Sequence, residues 1–404
     1  MRLLYAIGMG GLYCLMWCAS LFNAKARKWI IGRKTPITSF NIPANKQTVW
    51  FHCASLGEFD QGLPVMFAYK ERFPDAFLIV TFFSPSGMEF YGKRTHCVDL
   101  ACYLPLDTAS NARKFIAHFK PKDVFFVKYE FWFNHLLAAK KSGARVYGVS
   151  SLFRPTHRFF KWYGGFFRSA LRLFDHFYVQ DQRSKDLLAS IGINQTTLSG
   201  DTRYDRMIAV RDKGDTNEIL ADFTGEKPTL ILGSSWPVDE ELLLTSLLEL
   251  RKRMQIIIAP HDISEQHISA ISALFGNEVI RYTTYSSSPE NRILILDTIG
   301  QLTSAYRYAT IAYVGGGFTG KLHNILEPGA FGIPVVFGPK HERFPEAQLF
   351  LDRKVALEIT NSNQLQGLID QLLERKTEIA EELQLIFEEN SGAAKKVVAG
   401  IITG

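Results

Sequence analysis

The sequence predicts an α/β protein made of two doubly wound domains, preceded by a membrane-anchor helix. Three observations predict it. Short apolar runs alternate with amphipathic stretches in two series. One polar, glycine-bearing segment separates the series. The first 22 residues contain a stretch of about 20 without a charge, roughly what a helix needs to cross a bilayer.

The apolar stretch runs from Leu3 to Phe22, "LLYAIGMGGLYCLMWCASLF". Lys25, Arg27, Lys28, Arg33 and Lys34 follow it, whereas only Arg2 precedes it, which puts the body of the chain in the cytoplasm. A cleaved signal peptide fits less well. The apolar core is long for one, and no small-x-small site precedes the basic cluster. Residues 1–34 are read as anchor and basic flank, and both a spanning helix and one lying in the interface fit the pattern.

Residues 35–212 form the first domain. "TVWFHCAS", "FLIVTFF", "DVFFVKY" and "ARVYGVSS" read as buried strands, with "HFYVQD" and "TTLSG" as later ones. Continuous apolar runs between helices imply a parallel sheet covered on both faces. The stretch 211–228, "RDKGDTNEILADFTGEKP", is the expected hinge. Residues 213–404 form the second domain, with "TLILGSS", "QIIIAP", "EVIRY", "RILILD", "TIAYVGGG" and "IPVVFGP" as strands. The last helices are expected to pack back on the first domain. In such sheets ligands bind beyond the carboxyl ends of the strands, so the pattern points to a cleft between two sheets.

The bulk numbers narrow the class. Of 404 residues, 47% are hydrophobic and 21% charged, which excludes a disordered chain. Net charge is +6, mildly basic and compatible with an anionic membrane surface. The five cysteines, Cys14, Cys18, Cys53, Cys97 and Cys102, form no CxxC pair, so neither a disulfide framework nor a zinc site is expected.

The informative motifs stand where strands end. In "FHCASLGEFDQGLP" the apolar run stops at Leu56-Gly57 and Glu58 follows at a strand-helix seam. Taken alone, Glu58 is a first-turn glutamate facing the helix dipole. Ser234 and Ser235 end another strand ahead of Pro237. They either cap that helix or donate to a ligand phosphate. "DTIGQL" puts Ile299 and Gly300 before a helix, and Gly300 gives close backbone access. Gly315, Gly316 and Gly317 end a strand where exposed amides would suit an anion. The pattern is neither GxGxxG nor a Walker motif, so no dinucleotide or triphosphate is implied. Asn324 and Glu327, three apart, share a helix face.

In "SSLFRPTHRFFKWYGGFFRSALRLF" the cations Arg154, Arg158, Lys161, Arg168 and Arg172 recur at helical spacing, and aromatics fill the gaps. One basic helical stripe is expected from this. It suits anionic headgroups or single-stranded nucleic acid, and beside an anchor helix the lipid reading is preferred. No nucleic-acid partner is expected.

The motifs "HCASLGE", "TFFSPSG", "YLPLD", "KYEFWFN", "SGDTRYD", "GSS", "DTIGQL" and "HNILEPGAFGIPVVFGP" occur in this order over nearly the whole chain. In this the chain resembles the 3-deoxy-D-manno-octulosonic acid (Kdo) transferases of lipopolysaccharide synthesis, which have the GT-B fold. The resemblance implies an inverting transfer of Kdo from CMP-Kdo to a lipid A precursor of the lipid IVA type. The reaction would lie at the cytoplasmic face of the inner membrane and need no metal or other cofactor. It implies Glu58 as the base, weakened by the helix N-terminus, and Glu130 near the acceptor. On the donor side it implies Glu327 on the ribose hydroxyls with Asn324 beside it. Ile299 and Gly300 would face the cytosine. Ser234, Ser235 and Gly315 to Gly317 would lie at the phosphate.

The chain departs from the family pattern in four places. Pro260-His261-Asp262 stands where Pro-Arg-His is common, which makes His261 the substitute for a phosphate-pairing arginine. Gly317 replaces a serine, Lys321-Leu322 replaces Gly-Gly, and "KYEFWFN" lacks a proline after its tryptophan. Two other readings remain open. One is a different GT-B enzyme, a glycosyltransferase or a nucleotide-sugar epimerase. The other is a silent membrane-attached scaffold.

Overall fold

In a computed structural model the chain is described over residues 1–128, 130–214, 216–287 and 293–402. Tyr129 and Arg292, which fall inside two of the apolar runs quoted above, lie outside the described residues. The chain divides into two compact units, Met1–Arg206 with Asn390–Gly404, and Met207–Glu389. The division falls inside the helix Thr202–Lys213, ahead of the whole polar stretch 211–228.

The first unit carries a seven-stranded sheet: β1 (Thr48–Cys53), β2 (Phe77–Phe82), β3 (Leu100–Tyr103), β4 (Asp123–Val127), β5 (Arg145–Ser151), β6 (His176–Val179) and β7 (Thr196–Leu198). Its order is β3-β2-β1-β4-β5-β6-β7, and every pairing described is parallel. β1 and β4 are buried along their whole length because helices cover both faces. Trp50, Phe126, Phe115 and Leu136 pack on one face. Phe51, Phe125, Val65 and Tyr69 pack on the other, together with Val397 and Ile401 from the chain's end.

The second unit repeats the plan: β8 (Thr229–Ser235), β9 (Gln255–Pro260), β10 (Val279–Arg281), β11 (Ile293–Ile295), β12 (Ile311–Val314), β13 (Val335–Phe337) and β14 (Ala356–Glu358). The order is β10-β11-β9-β8-β12-β13-β14, again parallel in every described pairing. In the first sheet the order reverses between β1 and β4, and at the centre of the second it reverses between β8 and β12. At such a switch point the connections leave in opposite directions and open a crevice at the strands' carboxyl ends. Topology alone therefore marks one candidate pocket per unit.

The N-terminus forms a helix pair on the first unit, α1 (Arg2–Ser20) and α2 (Ala24–Gly32). Asn23 caps α2 by accepting from Ala26 N. Among the described residues, α1 is the one helix long and apolar enough to cross a membrane, and little of it is buried. α2 is seated more firmly, with Trp29 and Ile30 buried. Just beyond α2, the Arg33 guanidinium lies 3.8 Å over the Trp29 ring and donates to Leu104 O and Phe83 O at 2.9 and 2.8 Å.

The basic segment does not form the single stripe expected. A short 3₁₀ turn, Arg158–Phe160, is followed by extended backbone at Lys161, and a separate helix, Gly165–Leu171, starts after Gly164. The cause is at Gly164, where a Cβ would lie 2.2 Å from Arg158 O, so the chain folds back on itself there. Arg168 holds the fold-back by donating to Phe159 O and Lys161 O at 3.1 and 3.0 Å. Arg154, Arg158 and Arg172 are exposed, but the five cations do not share a helix.

Candidate functional site

At the first switch point, β1 runs into α3 (Leu56–Arg72) through a capping box. Ser55 is the N-cap, and its backbone N–H donates to Glu58 Oε2 at 3.1 Å. One Glu58 oxygen thus meets an orphan amide of the first turn, so the capping role is real. The side chain is nonetheless 8% exposed and close to a second carboxylate, Glu130, which follows β4. Burial, then the charge of Glu130, raise Glu58 from the usual carboxylate range to about 7, against the lowering pull of Lys128 and the capping amides. This corrects the expectation of a carboxylate acidified by its helix. Desolvation outweighs the dipole, so Glu58 takes up a proton far more readily than an exposed glutamate. Burial raises Glu130 as well, and its Oε2 is enclosed without a hydrogen-bond partner.

An aromatic wall, absent from the sequence reading, stands at the same strand ends. Trp132 Nε1 donates to His52 Nε2 at 2.9 Å, and the Trp132 ring stacks on Phe83 at 4.6 Å. Because an indole only donates, His52 Nε2 must accept, and its proton sits on Nδ1 facing Thr81 Oγ1 at 2.9 Å. Burial lowers His52 to about 3, so it stays neutral and serves to fix Trp132.

At the second switch point, β8 ends in a register shift between Gly233 and Ser235, with Ser234 at φ 53. A serine in left-handed backbone at a strand end is the strain that recurs at binding sites. Ser235 is fully buried and donates to Glu240 Oε1 at 2.7 Å, which makes it internal structure. Two of the three expected anion-facing amides are also taken. Gly315 N donates to Gly233 O at 2.9 Å, and Gly316 N donates to Asp239 Oδ2 at 3.1 Å. The buried Asp239 carboxylate also accepts from Trp236 N and Tyr313 OH, so the chain supplies its own anion there. Close backbone approach explains the glycines: a Cβ on Gly315 would meet Ser234 O at 2.3 Å, and one on Gly317 would meet Gly338 N at 2.5 Å.

An aromatic and cationic cluster lies beside this loop. The Trp236 indole stacks on His261 with centroids 4.4 Å apart and donates to His323 Nε2 at 3.1 Å, while Lys321 Nζ lies 5.2 Å from its ring. Burial and His261 lower His323 to about 4. Two of the departures noted in the sequence, His261 and Lys321, therefore meet on one tryptophan, which sequence reading passed over as the residue after "GSS".

Glu327 is met by Thr303 Oγ1 at 3.1 Å and Asn324 Nδ2 at 3.3 Å. The structure thus joins the helix after "DTIGQL" to the helix of "HNILEPG". Ile299 is 61% exposed and Gly300 has φ 99, so backbone is presented at this edge.

A family model, 3-Deoxy-D-manno-octulosonic-acid transferase (kdotransferase), matches residues 31–206. The chain is 26% identical over 342 residues to the 3-deoxy-D-manno-octulosonic acid transferase of Aquifex aeolicus (strain VF5), covering 83% of this chain and 88% of the relative. It is 27% identical over 308 residues to that of Chlamydophila psittaci (strain ATCC VR-125 / 6BC), covering 74% and 71%. Over most of its length the chain is similar to Kdo transferases. Solved structures agree on the fold. UDP-GlcNAc 2-epimerase from Neisseria meningitidis, bound to UDP-GlcNAc, matches with a TM-score of 0.65 at 14% identity, over 89% of this chain and 100% of that one. A glycosyltransferase from Rickettsia africae ESF-5 matches with a TM-score of 0.57 at 14% identity, over 88% and 97%. At such identity the likeness speaks for the GT-B fold alone. Given that similarity, Glu58 and Glu130 at one switch point and Ser234, His261, Asn324 and Glu327 beyond the other sheet are the side chains to weigh.

Proposed function

We propose that the chain transfers Kdo from CMP-Kdo to a lipid A precursor of the lipid IVA type, with inversion and without a metal, at the cytoplasmic face of the inner membrane. One observation carries the reading: Glu58, at the first sheet's switch point, is buried beside Glu130 and poised at about 7, where a general base works best near neutral pH. The first unit supplies the base and the acceptor side, and the second supplies the donor side.

Glu58 takes the proton of an acceptor hydroxyl. That oxygen bonds to the anomeric carbon from the face opposite the phosphate. The carbon–oxygen bond to CMP breaks, and CMP leaves with its electron pair. Glu327, oriented by Thr303 and Asn324, holds the ribose hydroxyls. Ile299 and Gly300 present backbone to the cytosine. Ser234, His261 and Lys321 meet the phosphate. A monophosphate leaving group carries no diphosphate to chelate a cation, and protein donors of this kind are enough to stabilise its charge. Glu130, the exposed Arg154 and Arg158, and the half-buried Lys161 meet the acceptor, whereas Arg168 shapes their loop.

The test is to incubate pure protein with CMP-Kdo and lipid IVA in excess EDTA, with CMP-sialic acid and UDP-GlcNAc as control donors. Kdo should appear on the lipid from CMP-Kdo alone. Turnover of UDP-GlcNAc without any Kdo transfer would replace the reading with an epimerase. Transfer only after a divalent ion is added would remove its metal-free part.

A further inference from the structure

The N-terminal helix α1 is docked along the first unit. Tyr5, in its first turn, donates its hydroxyl to Asp107 Oδ2 at 2.6 Å. Asp107 is 1% exposed and also accepts from the backbone of Asn134 and His135 and contacts His135 Nδ1 at 2.6 Å. The Tyr5 ring packs at 5.4 Å from Phe166 and 6.3 Å from Phe133, and the Arg2 guanidinium lies 5.4 Å over Phe133. Tyr5, Met9, Leu12 and Met16 form the covered stripe, at steps of four, three and four, which is one helix face. At the other end α1 turns back into α2, which packs along it, and Arg27 donates to Ser20 O at 3.1 Å.

A spanning helix is incompatible with this seat. A 19-residue helix is roughly 28 Å long, about the thickness of the hydrocarbon core. If it crossed the membrane with the basic flank inside, Arg2 and Tyr5 would lie at the far face. In the structure they touch the body, which carries charged and hydrogen-bonding surface that lipid cannot satisfy.

The rest of α1 is apolar and uncovered. Leu3, Leu4, Ile7, Leu15 and Trp17 are 52–74% exposed and Phe22 is 92% exposed. The segment whose Phe166 touches Tyr5 presents Trp162 at 91% exposure. Charge agrees with an anionic surface. Residues 1–57 contain seven Lys or Arg and no Asp or Glu, and residues 131–174 contain eight and again no acid. Some of these are neutralised, Lys28 by Glu89, Lys140 by Asp175 and Arg145 by Asp123, but Arg158 and Arg172 remain exposed.

We infer that α1 is an in-plane, monotopic helix: it lies in the cytoplasmic leaflet with the Tyr5–Met16 stripe against the protein and its other faces in phospholipid. Both ends of the helix then stay on the cytoplasmic side, and the Trp162 loop reaches the same leaflet. The topology does not depend on the reaction proposed above, and its test does not use it.

A protease-cleavable epitope fused ahead of Met1 reads the side directly. Protease should remove it from inside-out vesicles and leave it intact on spheroplasts of a Gram-negative host. Removal from intact spheroplasts overturns the inference. Depth gives a second reading. Environment-sensitive labels at L3C, I7C or L15C, in a chain with Cys14, Cys18 and Cys97 changed to Ser, are quenched by lipids spin-labelled at shallow or deep acyl positions. The vesicles are phosphatidylethanolamine with phosphatidylglycerol. The three sites should share one shallow depth. A progressive change toward roughly 18 Å from position 3 to position 15, as a spanning helix requires, overturns the inference. Absence of quenching at all three sites overturns its lipid part.

Discussion

Glu58 serves two demands that pull its proton affinity in opposite directions. As N3 of a capping box it accepts a backbone amide, which favours the charged form; as a buried neighbour of Glu130 it favours the neutral one. The second pull is the stronger, and the consequence for stability has a definite sign. Below 4.5 the group is protonated folded and unfolded alike. Between 4.5 and about 7 only the unfolded chain releases the proton, so stability falls as pH rises through that window and stays reduced above it. Glutamine keeps the capping hydrogen bond but has no charge to bury. Glu58→Gln should therefore raise the melting temperature at pH 8 and leave it nearly unchanged at pH 4, a difference on the order of 2–3 kcal/mol. Transfer should fall by about 10²–10⁴-fold, and the wild-type rate should drop tenfold per pH unit below about 7. Thermal scans at both pH values and a pH–rate profile check this. A variant destabilised at pH 8, or one with rates within threefold of wild type, would remove Glu58 as the base. The sequence placed this carboxylate at its seam, but not its proton affinity, because Glu130 is 72 residues away in the chain and reaches Glu58 only through the adjacency of β1 and β4.

At the level of elements, most of the parallel framework was legible because buried strands write themselves as unbroken apolar runs. Two strands were not. β3, "LACY", and β14, "ALE", are three or four residues long and each forms one edge of its sheet, where half-burial leaves no run to read. The basic segment failed for the opposite reason. Its spacing was helical, but Gly164 and the backbone contacts of Arg168 fold the chain back before a helix can form. The site residues split in the same way. Glycines 315 to 317 looked like a ligand cradle, and the structure gives two of their amides to the chain itself. The fold-back sharpens what mutation should show. Arg168 shapes the loop, so Arg158 and Lys161 are the pair to change. Arg158→Ser with Lys161→Ser should raise the apparent KM for the lipid acceptor several-fold at low salt, because basic groups near an anionic surface contribute about 1 kcal/mol each. The effect should shrink at high salt, and the KM for CMP-Kdo should not move. The pair of KM values in mixed micelles decides it, and an unchanged acceptor KM at low salt returns both residues to plain solvated surface.

For the whole molecule, the telling feature is that the chain leaves its first unit at Arg206 and returns to it at Asn390. The final helix, Ala393–Ile402, lies on α3, the helix that carries Glu58, and it places Val397 and Ile401 in the core against Tyr178 and Val65. Asp205 ties the return by accepting from Gly392 N at 2.8 Å, and Arg145 Nη1 donates to Ile401 O at 3.3 Å. Chains fold from the N-terminus as they are made, so the first unit to emerge is the last to complete its core. A cavity made in the last helix should therefore injure the unit that holds Glu58 and spare the unit proposed to bind the donor. Ile401 is 1% exposed, and Ile401→Ala should cost about 2–5 kcal/mol, the range for emptying a buried branched side chain. Its thermal transition should fall while the dissociation constant for CMP stays within about twofold of wild type. Calorimetric unfolding and CMP titration of the same sample read both quantities. A wild-type transition would mean that the returning helix adds no stability to the first unit, and a lost CMP affinity would mean that donor binding draws on more of the chain than Met207–Glu389.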